Sequence, residues 1–122
     1  MMGSEMVIKR AKGICTIKPK SAKWLKDSNN KLSFFEDFFL NYPKIKDENI
    51  ILDISGQENI DVQEILLFSS LIKEHRKNKK SFVIVSDLIE TEDLVEDIFI
   101  TPTWKEAKDV IEFEEIERDL GF

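Results

Sequence analysis

Apolar and polar residues alternate along the chain with two distinct periods, and the switches between them outline the fold. Met6–Ile8 and Gly13–Lys18 read as strands, with Ile14 and Thr16 alternating against Cys15 and Ile17. Lys12-Gly13 predicts a turn between them, and Pro19, which has no ladder donor, ends the second. Residues 20–31 are polar and lysine-rich and read as a loop, with Trp24 and Leu25 expected to fold back onto the domain. From Lys31 to Asn41 the period becomes helical. Phe34, Phe35, Phe38 and Phe39, joined by Leu32, share one broad face expected to be core. Asn29 or Asn30 is the expected cap and Pro43 the expected stop.

Asn49–Ile54 is almost continuously apolar, as in a strand covered on both faces, and Ser55-Gly56 breaks it. A second helix is predicted to open at Asp61. Asp61 and Glu64 form a capping box, and Ile60 with Ile65 forms a hydrophobic staple. Ile65, Phe68, Leu71 and Ile72 supply its buried face. The helix runs into His75-Arg76-Lys77-Asn78-Lys79-Lys80, whose cations suit the negative end of a helix dipole. Ser81–Val85 is another buried strand. A short helix or loop is expected around Thr91–Glu96, then a strand at Ile98–Ile100. Thr103 caps a last helix whose apolar positions are Ala107, Val110, Ile111 and Ile116, with Glu114 as a break in the stripe. The alternation predicts a single α/β domain over residues 5–111, with a mixed central sheet of about five strands and about four helices. Residues 112–122 are expected to form an acidic C-terminal helical tail.

Composition narrows the function classes. The chain has 122 residues, 42% of them hydrophobic and 34% charged, enough for one cored domain. The net charge is −6, but residues 1–26 hold seven bases and one acid, so the remainder carries −12. An acidic total opposes general nucleic-acid binding. An RNA-binding or tRNA-processing accessory role, using the basic N-terminal stretch and Lys73–Lys80, remains an alternative. One cysteine, Cys15, excludes an intramolecular disulfide and fits a reducing, cytoplasmic setting. No apolar run is long enough for a membrane helix. The opening MMGSEMVIKR lacks a signal-peptide core, and its Met-Gly-Ser has the form of a vector remnant. His75 is the only histidine, so no His/Cys zinc site can form, and it is expected on a partly exposed polar face. Asp53, Asp61 and Asp87, near strand ends, are a further alternative, a Mg²⁺ site. Each also has a structural reading: strand residue, helix cap and loop start.

The segment Ile-Ile-Leu-Asp-Ile-Ser-Gly-Gln-Glu-Asn-Ile-Asp, residues 50–61, resembles the central block of STAS domains, the sulfate-transporter and anti-sigma-factor-antagonist module. The order that follows resembles it too: apolar helix, lysine-rich turn, "FVIV" strand, short helix, then "IFITPTWKEA". The likeness spans about residues 5–111 and implies a STAS-like fold and a regulatory protein–protein module without catalysis or cofactor. It implies a protein partner, of which the kinase-like anti-sigma factors are the family's example. The implied binding edge is Gly56, Gln57, Glu58, Asn59, Asp61, Gln63 and Glu64. In regulatory members the Asp is followed by two small residues and a glycine, the second small residue being phosphorylated. Here Gln63 holds the acceptor position and Glu64 the glycine position, so no phosphorylation is expected. A phosphate there would also face Asp61 and Glu64 within one turn. The ending EFEEIERDLGF resembles small chains sometimes labelled ribonuclease Z. That nuclease activates water with a His-x-His-x-Asp-His metal cluster, which a single histidine cannot build, so no such activity is expected.

Overall fold

The computed structural model describes residues 6–20, 28–56, 65–66, 68–87 and 98–121, without the side chains of 28–33. Five strands, β1 (Met6–Ala11), β2 (Ile14–Pro19), β3 (Asn49–Asp53), β4 (Phe82–Val85) and β5 (Phe99–Thr101), lie side by side in chain order. β1 and β2 are antiparallel, and the other neighbours are parallel. The described residues contain three helices: α1 (Ser28–Ile45), α2 (Ser69–Lys77) and α3 (Trp104–Asp119). The helix or loop expected at Thr91–Glu96, the Asp61–Glu64 capping box and the folding-back of Trp24 and Leu25 lie outside the described residues.

The hairpin follows from two residues. Lys12 and Gly13 have φ of 53° and 80°, and Ala11 pairs with Ile14 across them. Two successive positive φ values give a two-residue turn whose twist matches that of the strands. The remaining topology follows from handedness. β2→α1→β3 and β3→α2→β4 both step the same way across the sheet, so right-handed crossovers place α1 and α2 on one face. α3 follows the last strand and covers the other.

Strand alternation divides the core accordingly. Cys15, Ile17, Ile50, Leu52, Phe82 and Ile84 meet α1 and α2, while Ile14, Ile51, Val83 and Val85 meet Ala107 and Ile111 of α3. Between the sheet and the first two helices is an aromatic cluster. The Phe38 ring stands edge-on to Phe68 at 5.3 Å and to Phe82 at 6.0 Å. Each fully buried ring contributes roughly 1.5–3 kcal/mol. Phe34, Phe35 and Phe38 are core as expected. Phe39 is 42% exposed and stacks on Phe68 at 5.5 Å.

Phe39 therefore lies at the edge of the core rather than in it, and three further expectations need correction. α1 begins at Ser28, so Asn29 and Asn30 lie within it rather than capping it. Nor does Pro43 stop it: the helix continues to Ile45, which is 1% exposed, and the missing proline donor falls in the last turn. His75 is not on an exposed face but is fully buried. Its Nε2 lies 2.8 Å from the Glu48 carbonyl oxygen and its Nδ1 2.7 Å from the Tyr42 hydroxyl. Because a carbonyl only accepts, Nε2 carries the proton and Nδ1 accepts from Tyr42.

α3 runs unbroken through residues 112–119 and is tied down along that stretch. Asn49, at the start of β3, accepts from the Ser81 backbone N–H at 2.8 Å and donates to Glu115 at 3.2 Å. Ser81 Oγ donates to Glu114 at 2.6 Å and accepts from Arg118 at 3.2 Å. Arg76 of α2 meets Glu114 with both terminal nitrogens, at 2.9 and 3.4 Å. Glu114, a break in the apolar stripe by sequence, is therefore an inward polar clamp.

Candidate functional site

One helix cannot cover a five-stranded face. α3 lies over β3 and β4, leaving a trough between its flank and the β1–β2 hairpin. Thr103 sets where the helix begins: its side-chain oxygen accepts from the Glu106 N–H at 3.2 Å, a cap of about 1 kcal/mol. Trp104, the next residue, directs its indole N–H to Thr16 Oγ1 at 3.0 Å, joining helix to hairpin. Below this bridge the trough encloses about 430 Å³. Ala11 and Ile14 form its apolar floor and Trp104 one wall. Lys9, Lys12 and Lys18 border it from the hairpin, and Lys108, Glu112 and Glu115 from the helix.

Asp53 stands at the end of the trough nearest the carboxyl edge of the parallel strands, where ligands of α/β folds usually bind. It is buried, and its Oδ1 accepts from the Ser55 N–H at 3.1 Å and the Ser55 hydroxyl at 2.6 Å. Its Oδ2 faces Lys18 Nζ at 3.8 Å. This knot turns the chain out of β3 into Gly56, whose φ of 80° continues the bend.

Of the edge residues singled out by sequence, Gly56 is exposed at this turn. Gln57, Glu58, Asn59, Asp61, Gln63 and Glu64 lie outside the described residues. Of the three acids considered for Mg²⁺, Asp53 is committed to Ser55 and Lys18, Asp87 is exposed beyond β4, and Asp61 is not among the described residues. Among the described residues, no three His, Cys, Asp or Glu side chains gather where they could hold a metal ion. In the basic run that begins in the last turn of α2, Arg76 is paired with Glu114 and lies 4.7 Å over the Phe99 ring, which removes one cation from the surface offered to RNA. No described helix is long and apolar enough to cross a membrane.

The shifted groups lie on the opposite face. Burial pushes the Cys15 thiol up to about 11, with Glu48 adding to the effect and Arg10 opposing it. Burial raises Tyr42 and lowers His75, the latter helped by the nearby Lys80 and Arg76 charges and opposed by its bond to Glu48. None of these three groups lines the trough.

The trough was missed in the sequence because four separate elements build it. A signal was present: Ile14, Thr16 and Lys18 share one strand face, while Trp104 and Lys108 share a helix face directly after the cap. No protein-family model matches the chain, and no curated protein matches it at a significant level.

Proposed function

We propose that this protein is a regulatory interaction module of STAS type that binds a protein partner through the segment 56–64 and performs no catalysis itself. The observation that carries the reading is the exit from β3. The strand whose residues resemble the STAS block ends in the Asp53–Ser55 knot at the carboxyl edge of the sheet, and Gly56, exposed with a φ of 80°, continues the bend there. The mixed sheet, a hairpin followed by parallel strands, supports this reading. The outer side of α3 adds support, because Phe113, Ile116 and Leu120, spaced by three and four residues, are all more than half exposed. Exposed apolar clusters of this kind mark surfaces that meet other proteins. With Gln63 at the acceptor position, partner choice is regulated by something other than phosphorylation there.

The test compares tagged wild type with Asp61→Arg/Glu64→Arg, each purified from the native host with quantitative mass spectrometry of co-purifying proteins. A partner captured by wild type and lost by the variant, with folding unchanged, supports the reading. Equal recovery of every partner overturns it.

A further inference from the structure

The charges that line the trough between α3 and the β1–β2 hairpin are unequally committed. Asp53 is held by Ser55 and Lys18, and Glu115 accepts from Asn49. That leaves Glu112 as the lining acid without a partner among the described residues. Among the described residues no carboxylate pairs with Lys9, Lys12 or Lys108. Lys108 instead lies 6.0 Å from the centre of the Trp104 ring. Three uncommitted cations therefore border an apolar floor and an indole wall. Lysine stems cover apolar surface while their ammonium groups stay at the rim, so this lining favours a ligand with an apolar body and a negative end.

The volume of about 430 Å³ lies within the range of roughly 300–1,000 Å³ usual for small-molecule sites. A flat body suits the space best, because Trp104 is pinned by its bond to Thr16 and presents a fixed aromatic surface. We infer that this trough binds a small organic anion with a flat apolar body, an aryl carboxylate in chemical class. The apolar body lies against Ile14 and Trp104, and the carboxylate lies among Lys9, Lys12 and Lys108.

The probe is 1-naphthoate, set against its neutral alcohol and its methylammonium analogue, with NMR of the ¹⁵N-labelled protein as the readout. The expected result is a saturable shift of the Trp104 indole N–H, assigned with Trp104→Phe, and of the Thr16 amide. Naphthoate alone gives it, and it weakens as salt rises. Lys9→Glu/Lys108→Glu, with resonances of the α1–α2 face unchanged, weakens naphthoate binding by about tenfold. Absence of a saturable shift at millimolar naphthoate overturns the inference. So does equal binding of the neutral or cationic analogue, or unchanged affinity in the double variant. If the double variant misfolds, the charge preference among the three probes on the wild-type protein decides alone.

Discussion

His75 donates its Nε2 proton to the backbone carbonyl of Glu48 at 2.8 Å, and so ties α2 to the turn that feeds the central strand. The second ring nitrogen takes the Tyr42 hydroxyl, so three segments meet at one neutral imidazole. Burial holds that ring below its ordinary pKa. The unfolded chain therefore takes up a proton near pH 6.5 while the folded chain does not. The contribution is fully present above about pH 6.5 and declines as pH falls toward the folded value, by at most about 1.4 kcal/mol per pH unit. Urea denaturation midpoints between pH 7.5 and about pH 5.5 check this. As the chain has no other histidine, His75→Gln flattens the slope in that window.

Asn49 joins two strand starts to α3. Replacing it with alanine leaves the buried Ser81 N–H without its acceptor and costs about 2 kcal/mol. Asn49→Asp keeps that acceptor but places a carboxylate against Glu115, and Glu115→Gln restores part of the loss. A double-mutant cycle in urea measures the coupling.

The hairpin turn discriminates sharply between side chains. Gly13→Ala forces a Cβ into left-handed backbone and destabilises by about 1–2 kcal/mol. Lys12→Asn, better suited to positive φ, raises stability slightly. Thermal denaturation of the two variants shows shifts of opposite sign.

Cys15 is buried on the α1–α2 face, with a thiol pKa pushed up to about 11. The native protein resists thiol-disulfide reagents near neutral pH, because both access and thiolate are lacking. Labelling proceeds only through opening, so its rate across urea follows unfolding. Rapid labelling in buffer contradicts this placement.

These residues show where local pattern suffices. The β strands and the start of α3 were legible because their signals are local: period-two alternation in β2, continuous apolar runs in β3 and β4, and Thr103 three residues before Glu106. His75 was not, since its neighbours Arg76 and Lys77 mark a solvated face while its partners Tyr42 and Glu48 are 33 and 27 residues away. Glu114 misled for the same reason: only Arg76 and Ser81, distant in sequence, make an inward carboxylate acceptable. Pro43 marked a stop by local rule, but burial of Ile45 carries the helix one turn further. In the trough, each lysine looks like ordinary surface until hairpin and helix face each other.

The position of α3 along the chain has a consequence for synthesis. All five strands precede it, and each neighbours the strand before it in sequence, so the sheet can assemble as it leaves the ribosome. Until α3 emerges, the ribbon of Ile51, Val83 and Val85 is bare, and Asn49 and Ser81 await Glu115, Glu114 and Arg118. A nascent chain halted after β5 is therefore sticky on the face that α3 covers. The last helix is the step that converts an adhesive half-covered sheet into a protected one.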